Sequence, residues 1–321
     1  MDTSFSGEQT DDSTTPEEAF ALLGNETRLA VLRTIWSEAD HGEAGRDGVL
    51  PFSAIREALG VDSGNLNYHL DRLVGTFIER VDGGYRLRQA GKNVVRAVVA
   101  GTITADPSYG PVGVDTACPR CGSRLETRYR REYLYAVCSA CSGGLRSHAD
   151  HPEGTLGWLR VPPAGLRGRT PQEVLDAAHR RFSHMTAAML DGVCPTCAGT
   201  VSPTLSVCSD HRFDGEELCP ACLRAIPALA RVTCDVCSQF RGVPPIYAVL
   251  AEPTLVAAFE EAGVHLFRSW GEAAPPSRWP FEVVEGDRPR VEYDLTLPTL
   301  TGLFTVSDDL TVAFEPAGQT G

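Results

Sequence analysis

The distribution of cysteine is the feature that most constrains how this chain folds. All eleven cysteines of the 321-residue sequence lie between positions 118 and 237, and ten of them form five C-x-x-C pairs. The pairs begin at Cys118, Cys138, Cys194, Cys219 and Cys234. One C-x-x-C turn presents two thiolates to a tetrahedral metal ion, and two turns joined by a hairpin make a zinc ribbon. The pattern therefore predicts a region held together by metal ions.

The eleventh cysteine has a histidine at the same spacing, in Cys208-Ser-Asp-His211. Counting His211, there are twelve ligands, which are enough for about three closed zinc sites. The pairs are separated by 16, 10 and 11 residues within the three sets that sequential pairing produces. Those sets are Cys118/Cys121/Cys138/Cys141, Cys194/Cys197/Cys208/His211 and Cys219/Cys222/Cys234/Cys237. For the last two sets, crossed pairing, such as Cys194/Cys197 with Cys219/Cys222, stays open.

Disulfides and iron-sulfur clusters are the alternatives to zinc, and an intracellular protein with paired hairpin turns favours zinc over both. Four-ligand sites leave no open position for water, so we expect structural rather than catalytic metals. The sequence contains no nucleophile-base arrangement, P-loop or dinucleotide fingerprint, and the chain is not predicted to be an enzyme. His179 and His184, on a predicted helix over 171–190, are interpreted as ordinary helix residues.

Ahead of the cysteines, the apolar periodicity predicts helices separated by short turns and followed by a hairpin and a last helix. The predicted helices are 16–23, 26–37, 52–59, 63–75 and 89–100, and strands 77–81 and 85–88 flank Asp82-Gly83-Gly84. We expect Ser63 to cap the fourth helix. This order is typical of a winged helix, in which two short helices form a helix-turn-helix unit.

In the fourth helix Leu66, Leu70 and Leu73 share one face, so the polar residues are predicted to point outward. Asn reads adenine edges, Arg reads guanine or phosphate, and Tyr and Ser bind phosphate. His69 is interpreted as packed. Together with the arginines of the hairpin, the predicted contacts to double-stranded DNA are Ser63, Asn65, Asn67, Tyr68, Arg72, Arg80, Arg86 and Arg88. The alternative for the hairpin is a solvated wing whose arginines contact nothing.

Two segments of this module resemble a known family. Residues 22–32 (LLGNETRLAVL) are similar to the opening helix of ArsR-like winged-helix regulators, and residues 65–73 (NLNYHLDRL) resemble their recognition helix. The resemblance covers about 85 residues, and the cysteines add a C-terminal zinc-ribbon domain of a halophilic archaeal type. It implies a homodimeric transcriptional regulator that binds a pseudo-palindromic operator. Because the module has no cysteine, the metal-sensing role of many members does not carry over.

The net charge is -13, and Lys92 is the only lysine against 28 arginines. An acidic, lysine-poor surface fits a very saline cytoplasm, although a GC-rich genome also favours arginine. The total argues against indiscriminate nucleic-acid binding unless positive charge is gathered locally. Residues 61–100 are net +2 and 118–185 net +5, whereas 238–321 are net -7. Without an export signal or a long apolar run, we expect a cytoplasmic protein with no membrane contact.

The predicted fold class is multi-domain α+β. The predicted divisions are 1–15 as a disordered acidic tail, 16–104 as the winged helix, 105–117 as a linker, 118–152 as zinc ribbon 1, 153–192 as linker and helix, 193–240 as paired zinc knuckles and 241–321 as a helix with short strands. On ribbon 1, arginines interleave with Tyr129, Tyr133 and Tyr135. This pattern fits either a nucleic-acid-binding face or a small tyrosine core.

These features predict a sequence-specific DNA-binding regulator whose zinc ribbons serve assembly, sensing or contact with a protein partner. The alternative is a zinc-ribbon scaffold that binds protein or RNA and uses the winged helix as a protein-contact module.

Overall fold

The computed structural model describes residues 14–39, 48–146, 150–268, 270–273 and 280–317. The chain divides into two compact units, residues 1–104 and 105–321. Within the described residues, the secondary structure is a mixture of helices and four small antiparallel sheets of two, four, three and four strands. This agrees with a multi-domain α+β chain. Most of the predicted acidic tail, residues 1–13, lies outside the described residues.

The first unit contains five helices and one hairpin among its described residues. The elements are α1 (Pro16–Leu23), α2 (Glu26–Glu38), α3 (Phe52–Leu59), α4 (Ser63–Leu73), β1 (Ile78–Val81), β2 (Gly84–Leu87) and α5 (Gln89–Ala100). Thr15, placed in the predicted tail, instead caps α1 in a capping box with Glu18.

The turn between α3 and α4 sets the direction of α4. Gly60 adopts φ +64°, a left-handed conformation that glycine reaches without strain. The cap of α4 is Asp62, whose side chain accepts a hydrogen bond from the backbone N–H of Asn65 at 2.9 Å. The predicted cap, Ser63, is therefore wrong by one residue, because Ser63 already begins the helix. Leu66, Leu70 and Leu73 are fully buried in the core of this unit.

The second unit begins with a four-stranded sheet of β3 (Tyr109–Ala117), β4 (Arg124–Arg130), β5 (Tyr133–Val137) and β6 (Thr155–Arg160). The predicted linker over 105–117 is wrong for its larger part, since β3 pairs with β4 along the edge of the sheet. An edge strand tolerates Pro111, which has no N–H to donate. Part of the predicted linker after 153 is likewise the strand β6, paired with β5.

The helix α6 (Pro171–Leu190) follows at the predicted position, and it begins with a capping box between Thr170 and Glu173. Its buried residues Val174, Leu175 and Ala178 pack against this four-stranded sheet, whereas Met189 lies in a separate core built mainly from the residues after α6. Although it has 20 residues, α6 is amphipathic. In the parts of the chain that the structure describes, no helix has both the length and the apolar character needed to span a membrane.

The rest of the unit contains two more sheets and short helices. The elements are β7 (Val201–Val207), β8 (Ala228–Cys234), β9 (Phe240–Val243), α7 (Pro253–Glu261), α8 (Trp270–Ala273), β10 (Glu282–Val284), β11 (Arg290–Thr296), β12 (Thr301–Val306) and β13 (Val312–Pro316), with 3-10 helices at Pro163–Leu166 and Pro245–Ala251. The two sheets share one core, in which Phe259, Tyr293 and Phe304 are almost completely buried.

Candidate metal clusters and a candidate nucleic-acid surface

The twelve predicted metal ligands converge into three groups that can each hold a metal ion. Within each group the four ligand atoms all lie within 4.8 Å of one another. Cluster 1 is Cys118/Cys121/Cys138/Cys141, cluster 2 is Cys194/Cys197/Cys234/Cys237 and cluster 3 is Cys208/His211/Cys219/Cys222. Cluster 1 is the set that sequential pairing predicts, and the other two sets are wrong. The crossed alternative with Cys219/Cys222 is wrong as well, because clusters 2 and 3 are nested.

The nesting follows from the antiparallel pairing of β7 with β8. Val201 lies opposite Cys234, and Val207 lies opposite Ala228. The pair that precedes β7 and the pair that follows β8 therefore meet at one end of the hairpin, and Cys208 and Cys219 meet at the other. Since β7 has seven residues, its ends are about 20 Å apart. Cys194 and Cys208 cannot share one ion.

The sequence contains a signal for this arrangement that sequential pairing ignored. The ten residues between Cys197 and Cys208 include Val201, Leu205 and Val207, which alternate as in one strand. The residues before Cys234 alternate in the same way. A segment filled by one strand cannot also turn back on itself, so each pair must find its partner across the hairpin.

Four of the ligand pairs adopt the same tight turn. In each turn the first cysteine's N–H donates to the carbonyl oxygen five residues later: Cys118 to Ser123, Cys194 to Gly199, Cys219 to Arg224 and Cys234 to Gln239, at 2.6–3.1 Å. The residue after the second cysteine has positive φ in all four turns: Gly122, Ala198, Leu223 and Ser238. Only one of these is glycine, so three non-glycine residues adopt a conformation that costs free energy outside a closed turn.

Backbone N–H groups in these turns point at the sulfur atoms. Arg120, Thr196 and Val236 each donate from the backbone to the first cysteine of their turn at 3.4 Å. Burial raises the pKa of Cys194, but the backbone N–H bonds of Thr196 and Cys197 lower it to about 6. The hydrogen bond with the Ser123 side chain, and a second with its backbone, lower the pKa of Cys121 to about 6. The backbone N–H of Arg212 lowers the pKa of Cys219 to about 7. Burial raises the pKa of Cys138 to about 12, so the ligands differ in how readily they form the thiolate that a metal ion needs.

The pair Cys138 and Cys141 is closed differently, by the strand that follows. Cys138 donates its N–H to the carbonyl oxygen of Gly154 at 2.9 Å, just before β6. Gly154 has φ +77°, and a Cβ there would lie 1.9 Å from the Cys138 carbonyl oxygen. Only glycine fits this position. Cluster 1 therefore depends on β6, which lies outside the ribbon predicted from the sequence.

Cluster 3 brings its histidine to the ligand position. The Nδ1 atom of His211 lies 3.4 Å from the Sγ atom of Cys222. Burial and the nearby Arg224 guanidinium lower the pKa of His211, which favours the neutral ring that binds metal.

A second candidate surface lies on α4 in the first unit. Ser63, Asn65, Asn67, Tyr68 and Arg72 are all exposed. Tyr68 is 55% exposed, and the Arg72 guanidinium carbon lies 5.6 Å from the centre of its ring. The amides, the phenol and the guanidinium thus form one polar face opposite the buried leucines. This face can donate and accept hydrogen bonds with a polar partner.

The hairpin arginines have partners within the unit. Arg80 lies 3.5 Å from the Asp71 carboxylate and donates to the Tyr85 hydroxyl at 2.6 Å. Arg86 donates to Glu79 at 2.7 Å. Both ion pairs are partly exposed, so they are weak and exchange readily with another anion. Arg88 precedes α5 and is exposed.

Residues 115–312 match the family described as "Domain of unknown function (DUF7351)", a match that runs from β3 to β13 and includes all three clusters. The chain belongs to the DUF7351 family. In this DUF7351 member, residues 16–98 also match "Domain of unknown function (DUF7347)", which covers α1 to α5. No curated protein and no solved structure matches the chain.

The tyrosines of the DUF7351 region lie mainly in the protein core. Tyr129 is buried and donates to the Val161 carbonyl oxygen at 2.7 Å, and Tyr135 is 7% exposed. Tyr133 is the exception at 38% exposed. Of the two interpretations of this hairpin, the structure favours the small tyrosine core.

Two of the described histidines outside the clusters, His69 and His179, are packed in the protein interior. His69 is 7% exposed, and burial lowers its pKa. His179 in α6 is 1% exposed, and its Nε2 atom lies 3.0 Å from the Leu266 carbonyl oxygen. The interpretation of His179 as a helix residue rather than a ligand agrees with this packing.

Proposed function

We propose that this protein is a sequence-specific DNA-binding transcriptional regulator with structural zinc. Residues 16–104 act as a winged helix-turn-helix domain on double-stranded DNA, and the DUF7351 region forms a zinc-stabilised body. The observation that carries the proposal is the exposed polar face of α4, placed between a tight turn and a hairpin.

The chemistry of that face suits the major groove. Asn65 and Asn67 offer amides that pair with adenine edges, and Arg72 offers a guanidinium fork for guanine or phosphate. The Arg72 guanidinium carbon lies 5.6 Å from the centre of the Tyr68 ring in a cation–π contact. Because this contact already restricts the Arg72 side chain, the side chain loses less conformational entropy when it binds DNA.

The hairpin supplies phosphate contacts in this proposal. Arg80 and Arg86 exchange Asp71 and Glu79 for phosphate oxygens, and Arg88 adds a further cation. This exchange leaves the carboxylates of Asp71 and Glu79 near the DNA, so the hairpin contributes less to DNA affinity than three unpaired arginines would. Base contacts from α4 then provide most of the specificity, above all at high salt, where counterion release adds little to affinity.

The test is fluorescence anisotropy with the full-length protein and DNA from upstream of its own coding region, against a scrambled duplex. Arg72→Ala should weaken binding to the specific duplex about tenfold to a hundredfold. Arg33→Ala, which removes an exposed arginine of α2, is the matched control and should leave binding unchanged. Equal affinity for specific and scrambled DNA would refute the proposal.

We also propose that the three clusters hold zinc. A tetrahedron of sulfurs with metal bonds of about 2.3 Å has edges of about 3.8 Å. Two sulfur pairs are separated by 3.5 and 3.8 Å in cluster 1, and two by 3.5 and 3.6 Å in cluster 2. Two sites with four cysteine ligands, and one with three cysteines and a histidine, fit zinc, and four protein ligands suit a structural role. Native mass spectrometry should find three zinc ions per chain.

A homodimer is part of the proposal, since a dimer reads two half-sites. The valines of α5 differ in burial: Val95 is fully buried, whereas Val99 is 48% exposed. Phe20 on α1 is 74% exposed. Exposed apolar side chains on two helices leave apolar area for a second copy. Sedimentation equilibrium should give twice the chain mass.

One observation favours the scaffold function as a second candidate. Because Arg80 and Arg86 are already ion-paired, the hairpin presents little net positive charge. A protein partner, which does not require a strongly cationic surface, would then bind the unit in place of duplex DNA. Competition in the same anisotropy assay separates the two functions. In the scaffold function, RNA or a protein partner binds this protein and duplex DNA does not.

A further inference from the structure

Clusters 1 and 3 are connected by a side chain that lies inside a metal-binding turn. Arg120 is the third residue of Cys118-Pro-Arg-Cys121 in cluster 1. Its guanidinium leaves the turn and contacts the loop between His211 and Cys219 of cluster 3. We propose that Arg120 couples metal binding at clusters 1 and 3, while cluster 2 binds its metal independently. The inference depends on the proposed zinc occupancy.

The contacts of Arg120 reach both halves of cluster 1. One guanidinium nitrogen, Nη1, donates to the Ser142 hydroxyl at 2.9 Å and to the Gly143 carbonyl oxygen. Both acceptors follow directly after Cys141. The side chain therefore ties the first ligand pair of cluster 1 to the second.

The other side of the same guanidinium reaches cluster 3. Its Nη2 atom donates to the Gly215 carbonyl oxygen at 2.8 Å, and its Cζ atom lies 4.7 Å from the centre of the Phe213 ring. The loop is acidic at Asp214 and Glu216, which favours a cation beside it. The Ser142 hydroxyl, itself an acceptor from Arg120, donates to the Glu216 carbonyl oxygen. Arginine suits this position because its planar fork serves several acceptors at once.

Backbone pairing adds to the side-chain bridge. Leu145 and Arg224 form an isolated antiparallel bridge. Arg146 donates to the Leu223 carbonyl oxygen at 2.8 Å, and Ala225 donates to the Gly144 carbonyl oxygen at 2.9 Å. The strand-like segment after Cys141 thus pairs with the segment after Cys222. When a metal closes one cluster, it orders the backbone that the other cluster uses.

Cluster 2 lies at the opposite end of the β7–β8 hairpin from cluster 3. The seven residues of β7 separate the two clusters by about 20 Å. This geometry makes cluster 2 the internal reference for any test of coupling.

The test follows the rate at which an alkylating reagent modifies individual thiols in the zinc-loaded, full-length protein under excess chelator. Peptide mass spectrometry measures the alkylation of Cys121, which reports on cluster 1, and of Cys197, which reports on cluster 2. Cys222→Ser, which opens cluster 3, should raise the rate at Cys121 about tenfold, within the usual range of coupling between sites. Cys237→Ser, the matched opening of cluster 2, should raise the rate at Cys197 and leave Cys121 unchanged.

Arg120→Ala keeps all twelve ligands and should accelerate modification of both cluster 1 and cluster 3. In that background Cys222→Ser should raise the rate at Cys121 by a smaller factor than in the wild-type protein, because the side-chain bridge is lost and only the backbone pairing still connects the two clusters. Arg124→Ala is the control. That arginine lies beside the same turn but pairs with Asp115 and the Val114 carbonyl.

If Cys222→Ser affects Cys121 no more than Cys237→Ser does, the coupling does not exist. An equal effect of Cys222→Ser with and without Arg120 would remove Arg120 from the mechanism. Fewer than three zinc ions in the wild-type protein by native mass spectrometry would refute the zinc proposal itself, which is a separate result.

Discussion

His179 makes the stability of the second unit depend on pH. The side chain is 1% exposed in α6, between the Leu266 carbonyl and the ring of Trp270, whose centroid lies 6.0 Å away. Burial lowers the pKa of His179 from 6.5 to about 4, and the hydrogen bond to Leu266 offsets only part of this effect. The folded protein therefore holds the neutral ring at every pH above about 4.

The sign follows from the difference between the two states. As the pH falls below 6.5, the unfolded chain binds a proton that the folded chain refuses, so the free energy of unfolding decreases. The loss ends near pH 4, where the folded histidine also becomes protonated. Between pH 7 and pH 5 the protonation of His179 in the unfolded chain lowers the free energy of unfolding by about 2 kcal/mol.

The assay is urea unfolding at pH 7 and pH 5, followed by tryptophan fluorescence. The Trp36→Phe background restricts the signal to the second unit, where Trp158 and Trp270 lie. The perturbation is His179→Gln, which keeps an amide donor for the Leu266 carbonyl and cannot titrate. Because both proteins keep the same metal ligands, their difference removes the pH dependence of metal binding.

We expect the wild-type protein to lose about 2 kcal/mol more than His179→Gln over this range. If the two proteins lose the same free energy, then His179 is protonated or exposed in the folded state, and the argument from burial is refuted.

Two further predictions concern the clusters. Cys194→Ser should reduce the zinc count from three to two and expose Cys197, Cys234 and Cys237 to alkylation. Cys208→Ser should instead expose the other two cysteines of cluster 3, Cys219 and Cys222. Exposure of Cys208 by Cys194→Ser would contradict the nested pairing. Gly154→Ala should release the cluster 1 zinc in native mass spectrometry, because its Cβ would meet the Cys138 carbonyl at 1.9 Å. Gly168→Ala is the matched control, since Gly168 has a similar φ of +65° and its Cβ would have no atom within 4 Å. This variant should lower the free energy of unfolding in urea by about 1 kcal/mol and keep three zinc ions. Equal zinc loss from both variants would refute the steric reason.

Much of the local structure was predictable because it depends on neighbours in the sequence. The capping box of Thr170 and Glu173 needs residues three apart, and the hairpin at Asp82-Gly83-Gly84 needs only its own turn. The inclusion of His211 among the ligands followed from the repeated spacing alone. Each of these features obeys a short-range rule, so no knowledge of the fold was required.

The strands β3 and β6 were missed for the opposite reason. Pro111 and Gly110 read as breakers, yet the edge of a sheet accepts them, and only the partner strand β4 makes residues 109–117 extended. Gly154 falls in the predicted linker, whereas its backbone lies against Cys138. Where a segment is stabilised by a distant partner, its own residues carry a weak or misleading signal.

The sequence by itself determined that this chain has twelve candidate metal ligands, and that the polar side of α4 lies opposite three leucines. Only the tertiary structure decided which of these residues lie together in one cluster. Spacing along the chain limits how near two pairs can come, but the antiparallel register of β7 and β8 places Cys197 beside Cys234 and separates it from Cys208. The same level of structure lets Arg120 reach from one cluster to another, because a side chain contacts what the fold brings near it rather than what precedes or follows it.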